Sequence, residues 1–243
     1  MANIWSIFKR ELAGYFITPV AYVFIVIFLV LTGYLTFQEN GFFERGQADL
    51  IPFFVGHPLL FLFLVPAVAM RLWAEERKTG TVELMMTLPI TPWQAVLGKF
   101  LAAWIFTGIA LALTFPLVLT VNYLGAPDNG VIFASYLGSF LMAGSYMAIG
   151  SCISALTRNQ VIAFVLGAVI CLVFLLCGNP TFLQFFQWAP DFLVDGVATL
   201  SFFGHYEGIV RGVLDVRDLL YFLTVIGFWL FANVVVLDWR KGK

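Results

Sequence analysis

Few side chains in this sequence are suited to chemistry of their own. The chain has two histidines, His57 and His205, and three cysteines, Cys152, Cys171 and Cys177. A metal site needs several such ligands at close spacing, and the sequence does not contain that pattern. The cysteines lie in or beside apolar stretches, so we interpret them as small apolar side chains and not as a disulfide framework. The sequence therefore predicts no metal site.

Nucleotide chemistry is equally unsupported by the motifs. The phosphate-binding pattern G-x-x-x-x-G-K-[ST] does not occur, because Gly98-Lys99 is followed by Phe100 and lacks the upstream glycine. No Ser/His/Asp arrangement can be inferred from spacing. We expect a chain that is not an enzyme, has no catalytic residue and binds no cofactor itself.

The composition places most of the chain in a lipid bilayer. Hydrophobic residues make up 61% and charged residues 11%, and the mean hydropathy is +0.95. A soluble domain carries about 25% charged residues, so lipid must be the solvent here. The net charge of −1 gives no reason to expect a nucleic acid as a partner. We predict an all-α membrane protein forming one transmembrane domain, residues 1–243.

Six segments are long and apolar enough to span a membrane, which takes about 20 residues. They are 18–37, 51–71, 100–123, 132–156, 161–177 and 219–237, of which the fifth is short. The positive-inside rule then orients them. The basic residues on the cytoplasmic side would be Lys9, Arg10, Arg71, Arg77, Lys78, Lys99, Arg158, Arg240, Lys241 and Lys243, against Arg45, Arg211 and Arg217 outside. We predict a multi-pass protein of the cell (inner) membrane with both termini cytoplasmic.

Two stretches outside the spans are amphipathic. For residues 1–17 we predict an interfacial helix; a plain extension of the first span is the alternative, which Pro19 disfavours. Its apolar face would carry Ile4, Ile7, Phe8, Leu12 and Tyr15, and its polar side Ser6, Lys9, Arg10 and Glu11. Residues 178–218 are aromatic but too short to span twice, so we predict an external re-entrant segment of short helices between spans five and six.

The fourth span is rich in small residues. Ser135, Ser139 and Ala143 share one helix face at four-residue spacing, which allows close helix contact in lipid. Packing within one subunit and a subunit interface both account for this face, and we favour packing within the subunit.

Ionisable side chains are scarce inside the spans, where His57 and the boundary residue Arg71 come closest. Ion-driven transporters place such groups at membrane depth. An independent ion-coupled carrier is therefore the least favoured function, although backbone carbonyls at a broken helix can coordinate Na⁺. Any work that the protein does would draw its energy from elsewhere.

The cytoplasmic loop between spans two and three is the most informative stretch. This coupling region, residues 72–92, contains a dense charge cluster, and Thr79 or Thr81 can cap a short amphipathic helix that Pro89 ends. Such a helix could insert into a groove of a partner. A solvated loop whose charges only set the topology explains the residues equally well.

Two motifs resemble a known family. The loop resembles the coupling-helix region of ABC exporter permeases of the second class (ABC-2 type), through Glu75, Glu76, Arg77, Gly80, Thr81, Glu83, Leu88, Pro89 and Gly98-Lys99-Phe100. The stretch Ser201–Asp218 resembles short permeases related to the gliding-motility permease GldF.

The resemblance implies a permease homodimer that binds a separate ABC-type ATPase subunit, which would hold ATP and Mg. It implies that the coupling helix contacts that ATPase. The contact residues would be Glu75, Glu76, Arg77, Gly80, Thr81, Val82, Glu83, Leu84, Met85 and Met86. It also makes an auxiliary membrane subunit with an external domain plausible.

On the outer side, Glu207 and Arg211 are four residues apart and can pair on one helix face. Together with His205 they either anchor the segment locally or form an external gate. For the whole chain we favour the permease subunit of an ATP-driven exporter. The alternative is a mechanical transmission subunit that passes ATP-driven motion to an external partner without transport.

Overall fold

The computed structural model describes residues 2–81, 90–184 and 190–241, and within these ranges all regular secondary structure is helical. The first half contains α1 (Ala2–Ile17), α2 (Pro19–Tyr34, extended by a π turn over Leu35–Glu39), α3 (Ile51–Val55), α4 (His57–Ala69), α5 (Arg71–Thr79) and α6 (Pro92–Ala112). The second half contains α7 (Phe115–Leu124), α8 (Asn129–Leu156), α9 (Gln160–Leu176), α10 (Pro180–Leu183), α11 (Asp191–Ala198), α12 (Phe202–Val210) and α13 (Val216–Lys241).

Five helical stretches of the described residues are long and apolar enough to cross a bilayer. They are Pro19–Glu39, His57–Thr79, Pro92–Leu124, Asn129–Leu156 and Val216–Trp239. Helix α9, which coincides with the predicted fifth span, has 17 residues and is therefore about 26 Å long. That is shorter than the roughly 30 Å hydrocarbon core. A multi-pass helical membrane protein is confirmed, and the sixth span stays a prediction.

Helix α8 forms the centre of the bundle: α4, α6, α9 and α13 pack against it, whereas α2 packs against α4. Its small residues admit neighbours at close range: a Cβ atom on Gly150 would lie 2.5 Å from the Cβ of Ala69 on α4. Similarly, a Cβ on Gly138 would lie 2.8 Å from Ile209 on α12. The side chains of Ser135, Ser139 and Ala143 are buried in the same way. The small-residue face is thus used for packing within the subunit, as favoured above.

The second predicted span is displaced along the chain. Helix α3 ends at Val55, Gly56 separates it from α4, and the helix then continues almost without interruption to Thr79. Two prolines explain the break, because Pro52 and Pro58 each stand in a first turn of a helix. We call His57–Thr79 the lever; its 23 residues make it about 35 Å long.

Helix α1 does not extend the first span, since Thr18 has an extended backbone and Pro19 begins α2. It packs against α6, where Ile7 is buried and a Cβ on Gly98 would lie 2.7 Å from Ile7. The assignment of Glu11 to the exposed polar side is wrong: its carboxylate points to Lys99 of α6. The periodicity of residues 1–17 gives no indication of Lys99, which is buried on α6. Its positive charge attracts Glu11 to the face of α1 that packs against α6. The interfacial position of α1 stays a prediction.

Candidate functional site

A buried ion-pair cluster joins three helices beside the coupling region. Lys99 of α6 is 2% exposed, and its Nζ lies 2.7 Å from Oε1 of Glu76 on α5 and 3.3 Å from Oε2 of Glu11 on α1. The same ammonium group lies over the Trp73 ring, 5.3 Å from its centroid. We call Glu11, Glu76 and Lys99 the basal cluster.

Local sequence features place Lys99 at this position. Thr91 caps α6: its hydroxyl accepts from the Gln94 N–H, while the Gln94 side chain accepts from the Thr91 N–H, and Pro92 begins the helix. Gly98 lets α1 approach the helix backbone, because a larger residue would collide with Ile7. The close approach brings Glu11 of α1 within reach of Lys99.

The end of α5 is fixed by Gly80 and two threonines. Gly80 adopts a left-handed conformation with φ of 74° and donates its N–H to the Glu76 carbonyl. The Thr79 hydroxyl bonds the Glu75 and Glu76 carbonyls, and the Thr81 hydroxyl contacts both Thr79 and the Glu76 carbonyl. These hydroxyls therefore cap the C-terminal end of α5.

Opposing charges dominate the electrostatics of the basal cluster. Burial raises the pKa of Glu11, but the attraction of Lys99 and Arg10 outweighs it, so the pKa of Glu11 lies below its usual value. Arg10 pairs with Glu11 at 2.7 Å. Oε2 of Glu76 is buried and has no hydrogen-bond partner among the described residues. One cation thus holds two carboxylates, and Glu76 retains an acceptor atom.

The end of the lever near Thr79 is also tied to α8. Ser154 accepts from the backbone N–H groups of Trp73 and Ala74, at 3.1 and 3.0 Å, and donates to the Met70 carbonyl. The Trp73 indole donates to Ser151 at 3.2 Å, and Asn233 of α13 donates to the same hydroxyl. Arg77 donates to the carbonyl of Ala155. Because of these hydrogen bonds, a displacement of α5 would also displace α8.

A cavity of about 450 Å³ lies beside the basal cluster, between α1 and α5. Its charged lining comes from Arg10, Glu11, Arg71, Glu75, Glu76 and Lys99. Three of these residues are acidic and three are basic, so the cavity is a polar cleft without a dominant charge.

Only the first five of the predicted ATPase-contact residues lie within the described part of the chain. Four of them lie together at the end of α5: Glu76, Arg77, Gly80 and Thr81. The fifth, Glu75, is turned to the surface and pairs with Arg71 at 3.2 Å. The rest of the prediction, Val82, Glu83, Leu84, Met85 and Met86, and with it the predicted coupling helix, lies outside the described residues.

The three predicted outer residues do not form one group. His205 Nδ1 lies 2.6 Å from the Asp218 carboxylate, and its Nε2 lies 2.9 Å from the Thr199 carbonyl. Arg211 donates to Glu207 on the exposed side of the same helix. Both interactions fasten α12 locally.

Sequence reasoning missed Lys99 as a member of the site. A lysine within an otherwise apolar helix requires a carboxylate partner, and this rule was the available signal. Trp73, Ser151 and Ser154 carried no comparable signal, because aromatic and small polar residues are common in membrane helices. Among the described residues, no group of three His, Cys, Asp or Glu could hold a metal ion.

Residues 5–194 match the family model described as ABC-2 family transporter protein. The matched range includes α1 from Trp5 onward, the lever, the basal cluster and α8. No curated protein matches the chain.

Proposed function

This chain belongs to the ABC-2 family of transporter proteins, and from that premise we propose that it is the membrane-spanning permease subunit of an ATP-driven exporter. ATP and Mg are held by a separate ABC-type ATPase subunit. The chain itself supplies the path through the bilayer and the surface that receives the motion of the ATPase.

The basal cluster is the observation that carries this proposal. The coupling region includes most of α5, and α5 is anchored through Glu76 to Lys99 of α6 and hence to Glu11 of α1. A force applied to the coupling region therefore reaches three helices at once. Removing these charges from water costs free energy. Transmission of motion explains why the charges lie at this junction, whereas packing alone does not.

The proposal includes the finer topology. Helix α9 crosses the bilayer as the fifth of six spans, α1 lies in the membrane interface, and the segment 178–218 is re-entrant from outside. Both termini are cytoplasmic and the membrane is the inner membrane. The domain is a single unit over residues 1–243, with the ATPase-contact residues in 75–86.

The partners follow the same reasoning. We propose a permease homodimer with two ATPase subunits and an auxiliary membrane subunit with an external domain. The GldF-like subgroup rests on residues 201–218, which mostly form α12 and the start of α13 and lie beyond the residues matched to the family. The proposal retains an external gate of His205, Glu207 and Arg211.

Mechanical transmission without transport is the second candidate, and one observation favours it. The outward face of α9 carries only apolar side chains among its large exposed residues: Val161, Ile162, Val165, Leu166, Val169, Leu172 and Val173. If two subunits meet at spans one, two and five, such a seam offers no polar path. ATP hydrolysis in reconstituted vesicles without movement of any lipid or solute would select this role.

The proposal is tested by Glu76→Gln in the complex with the co-purifying ATPase. The variant keeps the size of the side chain but removes the charge that holds Lys99. We expect ATPase turnover stimulated by the permease to fall about tenfold, the effect of losing one charged hydrogen bond. Membrane insertion should be unaffected, because Lys99 keeps Glu11.

Asp49→Asn is the matched control. Asp49 lies outside the proposed ATPase-contact residues and pairs with the exposed Arg45, four residues away, at 3.3 Å, and exposed pairs contribute little. Turnover should stay within about twofold of wild type. Equal turnover in the two variants, or a chain that co-purifies with no ATPase, would count against the proposed function.

A further inference from the structure

A second polar cluster lies at the outer end of the lever, enclosed by three helices. His57 begins α4, Ser139 lies on α8 and Tyr206 on α12, and each side chain is at most 1% exposed. His57 Nδ1 lies 2.8 Å from Ser139 Oγ, which lies 2.8 Å from Tyr206 Oη. Tyr206 in turn donates to the Phe54 carbonyl at 3.0 Å. We call these four residues the outer chain.

The break between α3 and α4 creates the terminal acceptor of the outer chain. In a continuous helix the Phe54 carbonyl would accept from the N–H of residue 58, but that residue is Pro58 and has no N–H. The Gly56 N–H approaches the carbonyl instead. The remaining lone pair is satisfied by Tyr206 of the external segment, so α12 replaces part of the helix hydrogen bonding of the second span.

The direction of the hydrogen bonds follows from the acceptors. A carbonyl can only accept, so Tyr206 donates to Phe54, and the single hydroxyl hydrogen of Ser139 points to the Ser135 carbonyl, at 2.8 Å, or to Tyr206. In both arrangements Ser139 accepts from Nδ1 of His57. The assignment places the imidazole proton on Nδ1.

Burial around His57 agrees with that tautomer. Its Nε2 is buried without a hydrogen-bond partner among the described residues, and the rings of Phe53, Phe54 and Phe61 surround the imidazole. A bare nitrogen lone pair is cheaper to bury there than an unpaired N–H. The Tyr206 hydroxyl makes the contacts to both Phe54 and Ser139, so its loss breaks the outer chain.

We propose that the outer chain positions the external helix α12 on the lever, so that α12 moves when the lever moves. This inference rests on the proposed function, because the lever is driven from the basal cluster at its other end. Tyr206 is the positioning residue: its hydroxyl contacts Phe54 and Ser139 and lies 3.5 Å from Nδ1 of His57, the first residue of the lever. Motion received at Glu76 would reach His57 through about 29 Å of helix.

A cysteine reporter can test this directly. Val210 on α12 is 4% exposed and lines a small outer cavity of about 190 Å³. Val210→Cys, placed in a chain with Cys152, Cys171 and Cys177 replaced by alanine, reacts with a membrane-impermeant maleimide only when α12 lifts. We expect Tyr206→Phe to speed labelling about tenfold in membranes without nucleotide, as expected for one lost buried hydrogen bond. Ser139→Ala should act in the same way.

Tyr146→Phe is the matched control. Tyr146 is equally buried and its hydroxyl donates to the Pro58 carbonyl at 3.3 Å, so the variant loses a lever contact but no hydrogen bond of α12. It should label at the wild-type rate. Equal labelling of all three variants and the wild type would overturn the inference.

A nucleotide arm separates the inference from the proposed function. In the complex with the ATPase, ATP should change the labelling of the Val210→Cys reporter, and Tyr206→Phe should abolish that change. A nucleotide response that survives in Tyr206→Phe overturns the inference and leaves the proposed function intact. Faster basal labelling in Tyr206→Phe, with no response to ATP in the reporter alone, supports the positioning role and counts against the proposed function.

Discussion

Glu75 and Glu76 are chemically identical neighbours with different environments. Successive residues of a helix point about 100° apart, so Glu76 meets Lys99 while Glu75 remains half exposed beside Arg71. The sequence could identify the charge cluster as a unit, but not which carboxylate is turned inward. That choice depends on the rotation of α5, which is fixed by the hydrogen bonds of Trp73 and Ala74 to Ser154 of α8.

His57 shows the opposite case. It could be singled out from the sequence because an ionisable side chain inside an apolar span is rare. Its partners could not, since Ser139 and Tyr206 lie far along the chain and ordinary hydroxyls carry no signal of pairing. Only the crossing of α4, α8 and α12 brings the three together.

The pKa of Glu11 gives a prediction at the residue scale. Its pKa is lowered below the usual 4.5 in the folded protein, so the pairing with Lys99 stabilises the fold above the usual value and is lost as the pH falls through the lowered one. Glu11→Gln should be less stable than wild type at neutral pH by about 1–3 kcal/mol. Thermal unfolding in detergent over a pH series would measure the difference.

The difference between wild type and Glu11→Gln should vanish at a pH below the lowered pKa, because both side chains are then neutral. Glu75→Gln serves as the control, with a small difference at every pH. A difference that is the same at neutral and strongly acid pH would mean that Glu11 contributes through packing and not through its charge.

At the scale of the elements, hydropathy located most spans but not their breaks. Both sides of Gly56 are apolar, so an average over the segment shows one continuous span, whereas Pro52 and Pro58 mark two helix starts. The small-residue face of α8 was recognisable from its spacing. The helices that pack against this face could not be predicted, because small residues admit any neighbouring helix at close range.

The contact between α8 and the lever gives a prediction at this scale. Gly150→Ala adds a Cβ that would lie 2.5 Å from the Cβ of Ala69, so the two helices must separate. We expect a destabilisation of about 1–3 kcal/mol, measured by thermal unfolding in detergent, together with weaker ATPase coupling.

Gly227→Ala on α13 is the matched control for this contact. The same methyl group there meets nothing within 4 Å, and alanine has the higher helix propensity, by about 1 kcal/mol. This variant should be as stable as wild type or more so. Two variants with equal stability would show that α8 and α4 tolerate separation, and that the glycine is not needed for the contact.

At the scale of the whole molecule, the two polar clusters lie at opposite ends of one helix. The basal cluster joins the lever to α1 and α6. In the outer chain, His57 of the lever contacts Ser139 of α8 at 2.8 Å and Tyr206 of α12 at 3.5 Å. Between the two clusters, Gly150 keeps the lever in close contact with α8. Directional, hydrogen-bonded junctions therefore lie at both ends of the lever.

The orientation of the lever in the membrane is the prediction on which the functional argument depends. The basic residues predict that the basal cluster faces the cytoplasm.

Two exposed residues can test this orientation. Lys78 lies beside the basal cluster and Gln47 lies in the loop before α3, and the predicted topology places them on opposite sides of the membrane. Single cysteines there, in the chain without its native thiols, should therefore report opposite sides. In right-side-out membrane vesicles, an impermeant maleimide should label Gln47→Cys at once and Lys78→Cys only after permeabilisation. The reverse pattern would place residues 75–88 away from any cytosolic ATPase, and the basal cluster could not then receive energy from ATP.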